Sequence, residues 1–578
     1  MSIWRERSFQ HTKEKIGAVS DGPYPRLIAD LLASRGLQSK DEIENILNPK
    51  LGQLKDPNLL LGMTKAVHRL IDAYKKDQSI CIYADFDLDG TSGLAILKLG
   101  LENLGYKKIS FYQPKRLSEG YGFHAHAVEE LKTLGIDLII TVDVGITSHK
   151  AFEKAQELSL DVILTDHHLP TEILPSAYCI INPNQKDCQS GLGYLCGAGV
   201  AFYLIRALKR AFYDDAELPK HDWDLKELLD LFCIGTLTDM VPLVEDNRVL
   251  VKHGMLALQN TDKPGLKALL SALDLSGRTL SSQDISIKFA PKLNALSRME
   301  SDVLPIHIYL EKNSQKAEET VSRILQNNSQ RQSLQSDGES KAFEILKTWV
   351  HKDFVFVSST EFHRGIIGLI ATKLSSEFQV PAFVGSENSE GMIVGSCRLP
   401  SGHDSSLVSA LGSAEKFLNR FGGHSAAAGF ELHAHQKNEF QNALLNYYKD
   451  LKNTPHESVI DFDVIAEVGE INPQLMKWYD HIGPYGVGFN VPIIRLNSLV
   501  LEQAKVLKGG HYKLHFSSDG QNGSNTTLEG LLFSPNDQQK QKIKNGQVYD
   551  ILGELQWNYF RNKQSIQLLV KDLKNVQA

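Results

Sequence analysis

Residues 79–104, SICIYADFDLDGTSGLAILKLGLENL, decide how the chain folds. An apolar, β-rich run ends in three alternate acids, Asp85, Asp87 and Asp89, and Gly90 then opens a stretch with helical spacing. Ser79–Asp85 predicts a strand and Thr91–Leu104 a helix.

The alternation continues outward. ISFYQP around Ser110 predicts a strand, Ala127–Leu134 a helix, DLIITVD ending at Asp143 a strand, Ser148–Leu158 a helix and DVILTD ending at Asp166 a strand. Such a series builds a parallel sheet covered by helices on both faces, and ligands gather beyond the carboxyl ends of its strands. A helical region follows around Trp223–Phe232, and Ser314–Val350, polar and free of proline, predicts a long connecting helix. DFVFVSS at Asp353 starts a second α/β segment that runs through IIGLIATKL, GMIVGSCR and FGGHSAAAGF. From about residue 456 the short runs YKLHF (Tyr512–Phe516), LEGLLF, YDILGELQW and SIQLLV predict a small all-β barrel of OB type.

The expected architecture is α/β, with two α/β lobes joined by a long helix and a C-terminal OB-like barrel. Its parts are an N-terminal segment at 1–75, a first α/β domain at 76–245, a helical connector at 246–350, a second α/β domain at 351–455 and the barrel at 456–578. A chain of 578 residues has room for about four domains at roughly 150 residues each. Its 42% hydrophobic and 23% charged residues exclude wholesale disorder and a collagen-like fold. The net charge of -7 says nothing of an anionic partner. The six cysteines form no C-x-x-C pair, so reduced, buried thiols and a cytoplasmic setting are expected. Met1–Gln10 lacks the apolar stretch of a secretory signal, and the uncharged run between Asp187 and Arg206 is glycine-rich and too short to span a bilayer.

Chemistry concentrates at the strand ends. Asp85, Asp87 and Asp89 follow the first strand, Asp143 follows another, Asp166, His167 and His168 follow a third, and Asp239 ends the apolar stretch before MVPL. A single Asp at a strand end reads as a turn former or helix cap. Several facing one crevice repel unless a cation lies between them. Carboxylates with one or two imidazoles suit Mn²⁺ or Mg²⁺, and two such ions suit phosphoryl chemistry. Cations for a phosphate are offered by Arg116, by Lys292 and Arg298 in PKLNALSR and by Arg398 in GSCR, with Asn294 and Ser396 as neutral donors beside them, although each alone reads as a surface group. His424 in FGGHSAAAGF reads equally as a buried, satisfied histidine, and His363 as a cap for the helix after it. From Leu501 onward ten Lys and Arg stand against seven Asp and Glu. There Trp557, Tyr559 and Arg561 share one strand parity, suited to stacking bases and neutralising phosphates, with core packing the default for about half of the aromatic residues.

YADFDLDGTSG, TVDVGI, TDHHLP and TDMVPL resemble, in order and approximate spacing, the four motifs of the DHH phosphoesterase family. FAPKLNALSR, HRGIIGLIATKL, GSCR and FGGHSAAAGF resemble the connecting and DHH-associated parts of its RecJ branch of bacterial single-strand-specific exonucleases. The resemblance runs over roughly residues 45 to 570. It implies that Asp87, Asp89, Asp143, His167 and Asp239 hold a pair of metal ions, with Asp85 and His168 beside it as catalytic groups. It implies a 5′-phosphate anchor at Arg116, Arg298, Ser396 and Arg398, and places His424 at the scissile phosphate. The family's Asn after the second-motif Asp is Val144 here. The implied activity is metal-dependent degradation of single-stranded DNA, 5′ to 3′, in DNA repair and recombination, by a monomer acting with single-stranded-DNA-binding protein and a helicase. Two rivals are a family phosphodiesterase for oligoribonucleotides or cyclic dinucleotides and a non-catalytic single-stranded-DNA-binding replication factor. The long connector and barrel weigh against the first, and the intact acid and imidazole motifs against the second.

Overall fold

The computed structural model describes residues 2–7, 22–451, 459–519, 525–535, 537–560 and 563–576. The chain divides into two compact units, Asp56–Val241 with His253–His456, and Met1–Lys55 with Pro242–Lys252 and Glu457–Ala578.

The first unit begins with a parallel sheet of β1 (Ile80–Ala84), β2 (Ile109–Tyr112), β3 (Leu138–Val142), β4 (Asp161–Thr165) and β5 (Cys179–Ile181), in the order β2-β1-β3-β4-β5. β1 and β3 are buried along their whole length, as continuous apolar strands covered on both faces must be. β2 lies on one side of β1 and β3 on the other, so the order reverses between β1 and β3. That switch point leaves a crevice beyond their carboxyl ends.

Helix α1 (Leu88–Asn103) starts three residues before the apolar pattern does. The cause is Asp87, whose Oδ1 accepts the N–H groups of Asp89 and Gly90 at 2.9 Å each and caps the helix. α1 is apolar nearly all round, and it packs on β1, α2 (Gly197–Asp214) and α3 (Leu229–Asp239). A π-helical turn, Asp284–Phe289, leads into α4 (Ala290–Arg298). α5 (Ser314–Leu346) extends 33 residues, about 50 Å at the helical rise. Asn313 caps it by accepting Lys316 N–H at 3.0 Å, and Ala317, Val321, Ile324 and Asn328 form its buried stripe. The helix ends at Leu346, short of Val350, because a turn follows.

The second lobe of this unit is a mixed sheet of β6 (Val355–Ser359), β7 (Ala382–Glu387), β8 (Met392–Arg398), β9 (Arg420–Gly423) and β10 (Ala427–His433), ordered β9-β10-β8-β7-β6. Only β6 and β7 pair in parallel. α6 (Ile367–Phe378) packs on β7 and β8. Phe354, Phe356, Phe383, Phe430 and Phe440 fill the core of the lobe.

In the second unit, β11 (Val464–Ala466), β12 (Ile494–Val506), β13 (Tyr512–Asp519), β14 (Asn525–Leu532), β15 (Val548–Phe560) and β16 (Lys563–Asn575) are ordered β11-β12-β13-β14-β16-β15. Pairing of β12 with β15 closes β12–β16 into a five-stranded barrel of OB type. The barrel core is continuous with Leu27, Ile28, Leu31 and Leu32 of the helix Arg26–Ser34, and Ile3–Glu6 pairs in parallel with Val459–Phe462. All six cysteines are free, five of them buried and Cys188 half-buried. No helix among the described residues is long and apolar enough to cross a membrane.

Candidate active site

The acids predicted at the strand ends meet at the switch point. Asp85 follows β1, Asp143 follows β3, His167 and His168 follow β4, and Asp239 closes α3. Three sets of donor atoms each lie within 4.8 Å: Asp85, Asp87 and Asp143; Asp89, His167 and Asp239; Asp143, His167 and His168. Atoms on opposite sides of an octahedral ion with bonds of about 2.1 Å stand about 4.2 Å apart, so each set fits a cation with small adjustments. Asp143 and His167 each belong to two sets.

Local structure fixes each donor. Asp89 is clamped at the start of α2, its Oδ2 accepting Gly197 N–H at 2.6 Å and its Oδ1 accepting Ala198 N–H at 2.8 Å. Gly197 is required there, since a Cβ would stand 2.5 Å from Asp143 Cβ. Asp143 has left-handed backbone, φ 61°, a conformation held for a reason at functional sites. His167 Nε2 lies 3.1 Å from Asp143 Oδ1, 3.6 Å from Asp239 Oδ2 and 3.7 Å from Asp89 Oδ2.

Four buried atoms of this cluster have no hydrogen-bond partner: Asp85 Oδ1, Asp143 Oδ1, His167 Nε2 and Asp239 Oδ2. Burial, with repulsion from Asp87, holds the Asp85 carboxyl well above the ordinary range. Burial and the neighbouring acids, Asp89 first, do the same to Asp143. Burial and Asp89 push Asp239 to about 8. Burial pushes His167 down, whereas His168, despite burial, is raised to about 9 by its bond to Asp166. Acids crowded until they hold protons, beside an imidazole kept neutral, form a donor set for a hard divalent cation. Cys196 adds no thiolate, because burial and Asp89 keep its thiol protonated.

A second cluster is cationic. Arg116 lies over the Phe86 ring at 5.0 Å. Arg298 Nη1 donates to Gly365 O at 3.2 Å, and Arg398 Nη1 donates to Ser396 Oγ at 2.9 Å and Cys397 O at 2.7 Å. Burial and then the charges of Arg116, Arg331 and Arg398 push Arg298 down to about 9. Arg398 is lowered by burial and also by Arg116. Arg116, Arg298 and Arg398 form no ion pair among the described residues. Like charges left unpaired in a common patch form a site for an anion. Lys292 and Asn294 lie half-buried on α4, one to two turns before Arg298.

The remaining expected positions are dispersed. His424 is exposed in the turn between β9 and β10, so it is not a buried core histidine, and no bond ties its imidazole to the carboxylates. His363 Nδ1 accepts Gly365 N–H at 3.0 Å just before α6. Trp557 packs against the barrel core and donates its indole N–H to Asp480 at 2.7 Å. Tyr559 is 39% exposed, so the shared parity does not give the two aromatic residues the same burial. Arg561 lies outside the described residues. Val144 is wholly buried in an apolar cluster with Phe123, Phe152 and Leu164.

Four further residues support the site. Asp166 Oδ1 accepts the N–H groups of His167 and His168 at 2.7 and 3.0 Å and His168 Nδ1–H at 2.8 Å, and its Oδ2 accepts Ile146 N–H at 3.0 Å. Asn184 and Asn182 donate to the carbonyls of His167 and His168 at 2.5 and 2.9 Å. The Tyr121 hydroxyl donates to the Asp143 carbonyl at 3.3 Å. Asp166 was visible as an acid beside the paired histidines. Tyr121, Asn182 and Asn184 act through contacts between separate loops and leave no local pattern.

The description "DHH family, N-terminal domain" matches residues 79–236, the DHHA1 domain matches 351–450 and the RecJ OB domain matches 462–572. Acids that invite a cation, next to arginines that invite a phosphate, are thus carried on the domains of a DHH phosphoesterase. The single-stranded-DNA-specific exonuclease RecJ of Bacillus subtilis is 32% identical over 553 residues, covering 94% of this chain and 67% of that protein. Its namesake in Salmonella typhimurium is 30% identical over 565 residues, covering 95% and 96%. The crystal structure of RecJ in complex with Mn²⁺ from Thermus thermophilus superposes with a TM-score of 0.80 at 26% identity, covering all of this chain and 80% of that one. Another, of exonuclease RecJ bound to manganese, gives 0.59 at 30% identity, covering 68% and 96%. The chain belongs to the RecJ family.

Proposed function

We infer that the chain is a divalent-metal-dependent, single-stranded-DNA-specific exonuclease that removes nucleotides from the 5′ end. The observation that carries this reading is the convergence of four unsatisfied buried atoms, on Asp85, Asp143, His167 and Asp239, beside unpaired arginines. In this reading Asp87, Asp89, Asp143, His167 and Asp239 hold two ions, Mn²⁺ or Mg²⁺. When bound, the ions supply positive charge that activates water and steadies the leaving oxygen. Asp85 orders the reacting end of the cluster, and His168, held by Asp166, presents a proton to the leaving group. Arg116, Arg298, Ser396 and Arg398 anchor the 5′ phosphate, Lys292 and Asn294 line the strand beside it, and His424 contacts the scissile phosphate once DNA is bound. Trp557, Tyr559 and Arg561 of the barrel stack bases and pair phosphates farther along the strand.

The setting that suits this activity is cytoplasmic repair and recombination, with a monomeric enzyme fed by a helicase and by single-stranded-DNA-binding protein. End-labelled single-stranded and duplex DNA, incubated with and without Mn²⁺, test the activity. Mononucleotide released first from 5′-labelled single strands, only with metal, is expected. Release first from 3′-labelled strands would reverse the polarity.

A further inference from the structure

We propose that Arg331, on the long helix α5, is a further anchor for the 5′-terminal phosphate, working with Arg298. The inference rests on the anchor described above and extends it to a residue that no motif marks.

Arg331 is held in one orientation by neutral groups of its own helix. Its Nη1 donates to Gln335 Oε1 at 2.8 Å and its Nη2 to Asn328 Oδ1 at 3.0 Å. Gln335 is fixed in turn, donating to Glu339 Oε1 at 2.7 Å, and Asn328 is buried. A side chain that costs up to about 2 kcal/mol of rotamer entropy to immobilise is thus ordered in advance. Its charge is nevertheless unanswered. Arg331 has no ion-pair partner among the described residues, and its Nε is buried without a hydrogen bond. Two of the five guanidinium donors are used and Nε is buried, which leaves one N–H on each of Nη1 and Nη2 for an acceptor.

The surroundings say what acceptor fits. α5 packs on α4, which carries Lys292 and Arg298, and burial first and then the Arg331 charge lower both. Arg298 is tied to the second lobe at Gly365, where a Cβ would stand 2.0 Å from Arg298 O, and it also feels Arg116 and Arg398. A cation ordered among like charges destabilises the free protein, and an anion of more than one charge offsets the repulsion more fully than a monoanion does. A terminal phosphate monoester carries close to two negative charges and three acceptor oxygens, whereas an internal phosphodiester carries one charge. Arg331 therefore favours the end of a strand over its interior.

The test compares kcat/KM on one single-stranded oligonucleotide with a 5′ phosphate or a 5′ hydroxyl, in Mn²⁺, for the full chain and for Arg331→Ala, Arg331→Lys, Gln335→Leu and Arg398→Ala. Arg331→Ala is expected to lower the phosphate-to-hydroxyl ratio about tenfold or more, the worth of a charged hydrogen bond. Arg331→Lys keeps the charge but not the fork and is expected to fall between. Gln335→Leu, a change at a half-buried position that leaves the guanidinium in place, is expected to lower the ratio about twofold to tenfold, and it stands in should Arg331→Ala not fold. Equal losses on both ends would overturn the role of Arg331 in favour of a structural one. A ratio unchanged in the Arg331 variants but lowered in Arg398→Ala overturns Arg331 alone, and a ratio unchanged in every variant overturns the 5′-phosphate anchor itself.

Discussion

Asp143 Oδ1 and His167 Nε2 stand 3.1 Å apart, both buried and neither in a hydrogen bond. A buried polar atom left unsatisfied costs about 1–3 kcal/mol, so two that face each other are suited to share a third partner, and a divalent cation fits both. Asp143→Ala or His167→Ala is expected to lower Mn²⁺-dependent nucleotide release by more than about a hundredfold, since groups that only orient metal ligands already contribute about 10–100-fold. Binding of single-stranded DNA, followed by fluorescence anisotropy, is expected to persist. Release at the parent rate by either variant would remove both residues from the metal site.

Metal uptake should depend steeply on pH. The Asp239 carboxyl is raised to about 8 by burial and by Asp89, and Asp85 and Asp143 are raised with it. Ions bind the deprotonated groups, so Mn²⁺ affinity is expected to climb as pH rises toward about 8 and to release protons on binding. The stability of the metal-free protein follows the opposite sign. With folded pKa values above the unfolded ones, these groups contribute stability that is full below the ordinary carboxylate range and is lost as pH rises toward about 8. Calorimetric titration in buffers of different ionisation enthalpy reads the protons, and melting curves with and without Mn²⁺ read the stability. A Mn²⁺ affinity independent of pH between 6 and about 8 would contradict the proposed donor set.

Gly197→Ala tests the packing beneath the ions. The added methyl would stand 2.5 Å from Asp143 Cβ and 2.9 Å from its Oδ1, with little room for the buried aspartate to retreat. Overpacking of this kind costs about 1–3 kcal/mol, and here it falls on a ligand. The variant is expected to fold, to melt lower and to need more Mn²⁺ for half-maximal activity. A parent-like metal requirement would mean that Asp143 can move without consequence.

Much of this was legible from local pattern. Three strands of the first lobe, β1, β3 and β4, end in the carboxylates and imidazoles that the chemistry needs, and apolar runs announced those and β2, whereas β5 carries no such signal in the sequence. Arg116, Arg298 and Arg398 could be nominated by residue type, but each alone was indistinguishable from a surface charge, because only the folded chain brings α4 and β8 together. The start of α1 was missed because Asp87 both caps the helix and joins the acidic cluster, so the overhang Leu88–Gly90 reads as part of the acidic loop despite its buried leucine. Arg331 was invisible because its partners, Asn328 and Gln335, are polar residues on a polar helix. His424 shows the converse. From sequence it read equally as a buried, satisfied histidine and as a group facing a ligand, and the turn between β9 and β10 leaves it exposed.

Asp166 offers the sharpest separation of positioning from ligation. Its carboxylate is fully buried, belongs to none of the three donor sets, and holds both histidine N–H groups and the His168 ring. Burial opposes its ionisation, but the bond and charge of His168 outweigh that and keep the carboxyl below its ordinary range. Asp166→Asn preserves shape while removing the charge that raises His168. Mn²⁺ affinity is expected to fall modestly, whereas kcat drops about 10–100-fold, the range for a group that orients a reactive imidazole. The alkaline limb of the rate profile is expected to move to lower pH as His168 loses its carboxylate partner. A drop in kcat with the limb unmoved would assign Asp166 to the backbone of the loop and free His168 from any role in proton transfer.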